Sequence, residues 1–121
     1  MNGLIPPHNH GERTKKEHLK DQLSRPATFE VAADIFKLLD DTSRLRIFWL
    51  LCHCEECVIN ISALVDMTSP AVSHHLRQLK AKGLIVSRRD GKEVYYKAAD
   101  TETGRLLHQT IEQIIAITCP E

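Results

Sequence analysis

Residues 69–98 constrain the fold more than any other part of the chain, because helix and turn signals follow one another there in a fixed order. Ser69 is a favoured helix N-cap, and Pro70 follows at the first helical position, where a missing backbone N–H costs nothing. Gly83 is the residue type that ends a helix in the left-handed conformation. Asp90-Gly91 is a hairpin turn signal between two short alternating segments. This order predicts a helix followed at once by a two-stranded hairpin.

The other elements follow from the spacing of the apolar residues. Apolar residues recur at steps of three and four along residues 27–39 and again near the C-terminus. The predicted helices cover residues 27–39, 41–51 with Asp41 as the N-cap, 61–67 with Asn60 as the N-cap, 69–82 and 101–117. The predicted strands cover residues 84–89 and 93–98, and residues 57–59 are expected to be a short extended link.

Two short helices joined by a tight turn and followed by a hairpin make a winged helix-turn-helix, so the fold class is mainly α with a small β-hairpin. A helix fits the major groove of double-stranded DNA, and exposed side chains near its N-terminus reach the base edges. Basic side chains on the hairpin reach phosphates or the minor groove. The side chains predicted to contact DNA are Ser69, Ser73, His74, Arg77, Gln78, Lys80, Arg88, Arg89 and Lys92.

The charge distribution supports a nucleic-acid partner. The whole chain has sixteen Lys and Arg and sixteen Asp and Glu, so its formal net charge is zero. Residues 68–97, however, hold seven basic and two acidic side chains, and the remainder of the chain has a net charge of −5. A basic segment inside an acidic chain favours a polyanionic partner. The alternative is an ordinary solvated face of a small domain.

Two segments resemble the ArsR/SmtB family of bacterial metal-responsive repressors. They are LLDDTSRLRIFWLL and ECVINISALVDMTSPAVSHHLRQLKAKGLIVSRRDGKEVYYKAAD, and the resemblance extends over about residues 30–117. It implies a homodimer through the first and last helices, which leaves its operator when an inducer binds. The residues also favour a homodimer. One recognition helix contacts too few base pairs for useful specificity, and the isoleucine-rich stripe of the last helix needs a partner to cover it.

The resemblance also implies a thiolate site that begins at Cys57 in the sequence EECV. Some relatives carry a second cysteine two residues later, where this chain has Ile59, but Cys52 and Cys54 lie just upstream in CHCEEC. The family site also takes ligands from the N-terminal arm. Sulfur and imidazole donors suit a tetrahedral Zn(II) site or a softer ion such as Cd(II), Pb(II) or As(III), which would be the inducer. The favoured ligands are Cys54, Cys57, His8 and His10, with Cys52 less favoured.

Two other interpretations of the cysteines stay open. In one, the cysteines are a thiol switch that responds to oxidants or sulfur species in a repressor of the same fold. The neighbouring Glu55 and Glu56 would raise the pKa of a thiol and so disfavour this interpretation. In the other, no metal binds, because Cys52 packs as a small hydrophobe and Cys54 and Cys57 are incidental.

A second family site lies on the last helix, and here the chain departs from it. Asp100 matches the first ligand position, whereas Glu102 replaces the first histidine. Gln113 and Ala116 stand where the later pair of ligands belongs. The standard form of this site is therefore not expected, and Asp100 and Glu102 are less favoured metal candidates.

His108 and Glu112 lie one helical turn apart on the last helix and could chelate an ion with Asp100 or Glu102, although a solvated polar face is the favoured interpretation. His108 is therefore also a less favoured metal candidate. His74 and His75 are adjacent, so they point about 100° apart on a helix and cannot share an ion. The role of Cys119 is open.

The length of 121 residues predicts one domain, residues 19–121, preceded by a flexible histidine-containing arm over residues 1–18. No apolar run reaches the roughly 18 residues that cross a bilayer, and no secretory signal is present, so a cytoplasmic protein without a membrane partner is expected. The sequence contains neither a glycine-rich phosphate loop nor a nucleophile elbow, which argues against an enzyme. A winged helix that only binds other proteins is a further alternative.

Overall fold

A computed structural model of the chain describes residue 8 and residues 13–119, and it divides the chain into two compact units, residues 1–36 and residues 37–121. The elements in chain order are α1 (Arg13–Leu23), α2 (Pro26–Leu38), α3 (Thr42–Leu51), β1 (Glu56–Cys57), α4 (Val58–Val65), α5 (Ser69–Ala81), β2 (Ile85–Asp90), β3 (Glu93–Ala98) and α6 (Glu102–Thr118). The predicted fold class is confirmed. Within the described ranges, no helix is both long and apolar enough to span a bilayer.

The first unit contains α1, a helix that the sequence analysis did not predict. Its sequence, RTKKEHLKDQL, consists mostly of good helix formers but has no apolar period, so hydrophobic spacing does not indicate it. Just beyond the last residue of α1, the Arg25 guanidinium forms an ion pair with Asp21 at 2.9 Å. Leu23 and Phe36 are 69% and 67% exposed, so this unit retains apolar surface.

The hydrophobic core lies in the second unit, and it determines which side of α5 faces outward. Val72, Leu76 and Leu79 of α5 are each at most 1% exposed and form an apolar stripe along the inward side of the helix. They pack with Ile47 and Phe48 of α3, which are fully buried. Burial of each such side chain contributes roughly 1.5–3 kcal/mol, which is enough to hold α5 in one rotational setting.

The helix caps agree with the sequence in one case and differ in another. Asp41 caps α3 as predicted, and its carboxylate accepts a hydrogen bond from the Arg44 backbone N–H at 2.9 Å. Thr68, and not the predicted Ser69, caps α5. The Ser69 hydroxyl instead lies 3.1 Å from the Ser62 hydroxyl, so it joins α4 to α5.

The segment before the helix-turn-helix also differs from the prediction. Helix α4 begins at Val58, and its N-cap is Cys57, so the predicted cap at Asn60 is wrong. The Asn60 side chain instead donates a hydrogen bond to Glu56 at 2.8 Å. Of the predicted extended link over residues 57–59, only Cys57 is extended, and Val58 and Ile59 already belong to α4. Strand β1 pairs with β3 and makes a three-stranded antiparallel sheet in the order β1-β3-β2. The hairpin is confirmed, with Gly91 at φ +66° in its turn.

Candidate DNA interface and metal sites

The outward side of α5 carries the residues that the sequence analysis assigned to DNA recognition. Because the apolar stripe faces the core, the polar residues of the helix lie on the opposite side. Four of them are exposed and two are half-buried; the exposed ones are Ser69, His74, Arg77 and Lys80, and the half-buried ones are Ser73 and Gln78. Of the six, the structure thus leaves Ser69, His74, Arg77 and Lys80 open to solvent.

Gln78 has a structural partner that the sequence analysis missed. The half-buried Arg44 of α3 donates to the Gln78 side-chain oxygen at 2.7 Å and to the Leu38 carbonyl at 2.5 Å. The same guanidinium lies 3.3 Å from Nδ1 of His75. Since arginine only donates, Nδ1 accepts. Burial lowers the pKa of His75, and the positive charge of Arg44 adds to this effect. Arg44 therefore links α3 to α5 through neutral His75 and through Gln78.

Arg88 on strand β2, one of the predicted DNA contacts, is already paired with a carboxylate of the same chain. Its Nε and Nη2 atoms donate to the two oxygens of Glu55, each at 2.9 Å, and its guanidinium carbon lies 4.8 Å from the centre of the Tyr95 ring. The hydrogen bonds from Arg88 lower the pKa of the Glu55 carboxyl. Bidentate pairing of this kind holds the arginine in one direction and neutralises its charge.

The remaining basic candidates fall into two groups. Lys80 donates to the Ser87 hydroxyl at 2.6 Å, which links the end of α5 to strand β2. Arg77, Arg89 and Lys92 are exposed, and none of the three forms a hydrogen bond or an ion pair with any residue in the part of the chain that the structure describes. These three cations are the ones available to phosphates or base edges.

The cysteines of CHCEEC lie in different environments. Cys57 is 9% exposed, lies in β1 and occupies the N-cap position of α4 without a side-chain hydrogen bond to the helix. Cys54 is half-buried, and its thiol donates to the Leu50 carbonyl at 3.6 Å. Burial, with the charge of Glu56, raises the pKa of the Cys54 thiol, and burial raises the pKa of Cys52 to about 11. The thiols of Cys52 and Cys54 are thus protonated at neutral pH unless a cation is bound.

The structure does not confirm the predicted histidine ligands of the N-terminal arm. His8 is exposed, and His10 lies outside the described residues. Among residues 8 and 13–119, no group of three donors within 4.8 Å of one another contains Cys54 or Cys57. The cysteine site therefore stays a prediction.

A different group of donors does come together, at the junction of α3 and α6. His53 lies two residues beyond the end of α3, and His108 and Glu112 share one face of α6. Their donor atoms lie within 4.8 Å of one another. The Trp49 indole N–H donates to Glu112 at 2.5 Å, and this hydrogen bond is the main cause of a lowered pKa of that carboxyl.

Asp100 and Glu102, the partners considered from the sequence beside the favoured solvated polar face, do not join His108 and Glu112 in this donor group. Asp100 instead forms an ion pair with Arg105 at 2.5 Å. Glu102 is exposed in the first turn of α6 and belongs to no such donor group in the described part of the chain. His53 is 55 residues before His108 in the sequence, so no local spacing indicated that the two rings meet.

The comparisons with known proteins agree with this architecture. Residues 41–87 match the family model described as bacterial regulatory protein, arsR family. The chain is 37% identical over 82 residues to a transcriptional repressor SmtB homolog of Synechocystis, covering 68% of this chain and 62% of that protein. It is 32% identical over 96 residues to a cadmium resistance regulatory protein CadC homolog of Staphylococcus aureus, covering 78% of each.

A solved structure shows the same fold. The solution structure of a homodimeric winged helix-turn-helix DNA-binding domain from Mycobacterium bovis, a possible ArsR-family regulator, superposes with a TM-score of 0.68. It is 31% identical in sequence and covers 80% of this chain and 88% of that chain. The matched region spans less than two thirds of the SmtB homolog. With a basic winged helix-turn-helix and relatives of this similarity, the chain belongs to the ArsR family of bacterial regulatory proteins.

Proposed function

We propose that the protein is a homodimeric transcriptional repressor that binds double-stranded operator DNA and releases it when a metal or metalloid ion binds at Cys54 and Cys57. The observation that carries the DNA-binding part is the orientation of α5. Its apolar side is buried, so Arg77 lies exposed on the same basic segment as the wing cations Arg89 and Lys92. A helix and a wing that present unpaired cations suit a groove and its flanking phosphates.

The apolar surface of α6 supports the homodimer. Leu106, Ile114 and Ile117 are 61%, 54% and 77% exposed. Large apolar side chains repeated along one exposed helix favour burial against a partner. A second copy of the chain suits this surface, because two recognition helices read twice as much operator sequence as one.

The position of the cysteines supports the release mechanism. Cys57 occupies the N-cap position of α4, the first helix of the helix-turn-helix, and pairs with Tyr95 of the wing strand β3. Between the two cysteines, Glu55 holds the wing residue Arg88. An ion bound here would therefore act on both DNA-contacting elements, and release requires a coupling of about 1–3 kcal/mol or more between the two sites. The inducer is Zn(II) or a softer ion such as Cd(II), Pb(II) or As(III), and the cadmium-resistance relative supports this class.

DNA binding is tested by fluorescence anisotropy with a labelled duplex from the region upstream of the protein's own gene. We expect Arg77→Ala to weaken binding about tenfold or more and to reduce the salt dependence by about one phosphate contact. Arg46→Ala, which changes an exposed arginine of α3, is the matched control and should leave the affinity unchanged. If Arg77→Ala binds as well as the wild type, α5 is not the recognition helix.

The inducer is tested by titrating the protein–DNA complex with each of the four ions under reducing conditions. We expect at least one ion to release the wild type, and Cys54→Ser and Cys57→Ser to stay bound. Release of both variants at wild-type concentrations of the ion would refute the cysteine site. If no ion releases the wild type but peroxide or a persulfide does, the alternative of a thiol-responsive repressor is correct. The raised pKa values of Cys52 and Cys54 disfavour that outcome.

A further inference from the structure

We propose that His53, His108 and Glu112 form a second metal site, separate from the cysteines, which binds a divalent ion such as Zn(II) within one subunit. The site joins the end of α3 to the middle of α6. In the part of the chain that the structure describes, it is the one group of three or more potential ligands whose donor atoms lie this close together.

The distances between the donor atoms match a tetrahedral ion. Nε2 of His53 lies 3.1 Å from Nε2 of His108. Oε2 of Glu112 lies 3.5 Å from the first of these nitrogens and 3.6 Å from the second. A tetrahedral ion with bonds of about 2.0–2.2 Å separates its ligands by roughly 3.3–3.6 Å. An ion therefore fits with movements of a few tenths of an ångström.

The surroundings hold the ligands in place. The Trp49 indole N–H donates to the same oxygen of Glu112 that faces the two imidazoles, and a donor of this kind orients a ligating carboxylate. The rings of Trp49 and His53 lie 4.5 Å apart, and those of His53 and His108 lie 4.7 Å apart at a right angle. Each ring is thus restrained by a neighbour before any ion arrives.

The donor types and their exposure define the class of ion. Two imidazole nitrogens and one carboxylate oxygen suit Zn(II), Co(II) or Ni(II), whereas Cd(II), Pb(II) and As(III) favour thiolates. The side chains of His53, His108 and Glu112 are 44%, 30% and 47% exposed, so water can occupy the fourth position. Three protein ligands and one water make an open site that exchanges its ion with solution.

The test uses the full chain with Cys54→Ser and Cys57→Ser, titrated with Co(II). We expect one ion per subunit, with the visible absorption of tetrahedral Co(II) and without a sulfur-to-metal charge-transfer band. Trp49 is the only tryptophan, so quenching of its fluorescence by Co(II) reports binding at this place. Zn(II) should displace Co(II) and reverse both signals. No DNA is present, so the result does not depend on the repressor function.

Two variants in this background identify the ligands. Glu112→Gln keeps an oxygen acceptor for Trp49 but removes the carboxylate, and His108→Ala removes an imidazole. We expect each to weaken Co(II) binding at least tenfold, while His18→Ala, which changes an exposed histidine of α1, leaves it unchanged. Circular dichroism melting of Glu112→Gln shows whether it folds as the parent does. Absence of Co(II) binding in the parent, or unchanged affinity in both folded variants, would overturn the proposal.

Discussion

Replacement of Arg44 by methionine tests whether one half-buried guanidinium holds α5 in place. Arg44→Met keeps the length and apolar stem of the side chain and retains the backbone hydrogen bond to Asp41. It leaves the Leu38 carbonyl, the Gln78 side-chain oxygen and Nδ1 of His75 without their donor. A hydrogen bond to a charged group contributes roughly 1.5–3 kcal/mol, and water partly replaces a donor at a half-buried site. Two short bonds and one long bond therefore predict a loss of about 2–4 kcal/mol in the free energy of unfolding.

Urea unfolding followed by circular dichroism measures this loss. The protein concentration is kept constant, because the stability of the proposed homodimer would depend on it. With a slope of about 1–3 kcal/mol per molar urea, the midpoint should fall by about 1–2 M. Arg44→Lys keeps the charge but cannot reach all three acceptors, so it should recover less than half of the loss. Arg46→Met, on the exposed side of α3, should stay within about 0.5 kcal/mol of the wild type. If Arg44→Met also stays within about 0.5 kcal/mol of the wild type, the hydrogen bonds of the Arg44 guanidinium do not stabilise the fold.

Three further predictions concern the wing, the start of α6 and the dependence on pH. Glu55→Gln removes the negative charge and one of the two oxygens that accept from Arg88, so DNA affinity measured by anisotropy should rise several-fold, and an unchanged affinity would show that the pair does not compete with DNA. Gly104→Ala places a Cβ 2.9 Å from the Ala99 carbonyl, so the melting temperature should fall, whereas helix propensity alone predicts a rise. Because the folded state holds the pKa of His75 below its usual 6.5, the unfolded chain takes up protons first. Stability should therefore decrease as the pH falls below about 6.5, and this decrease should be smaller in His75→Gln; an equal decrease in both proteins would exclude His75 as its cause.

Local signals allowed much of the fold to be predicted. The apolar residues Val72, Leu76 and Leu79 recur at helical spacing, and Gly83 has the positive φ of +76° expected where a helix ends. These signals depend only on residues close together in the sequence, so they predict local structure without knowledge of the tertiary fold. The same holds for the outward position of Arg77, which follows from the buried stripe. The helix α1 was missed because it forms from propensity and not from an apolar period.

The sequence by itself determined the helix–hairpin unit, its basic character and the family. Only the tertiary structure decided which side chains meet across it. The pairing of Cys57 with Tyr95, the ion pair between Glu55 and Arg88, and the approach of His53 to His108 each join residues that are at least 33 positions apart. Packing of the helices and strands around the shared core brings these distant segments together. The spacing of the residues along the sequence does not encode that packing.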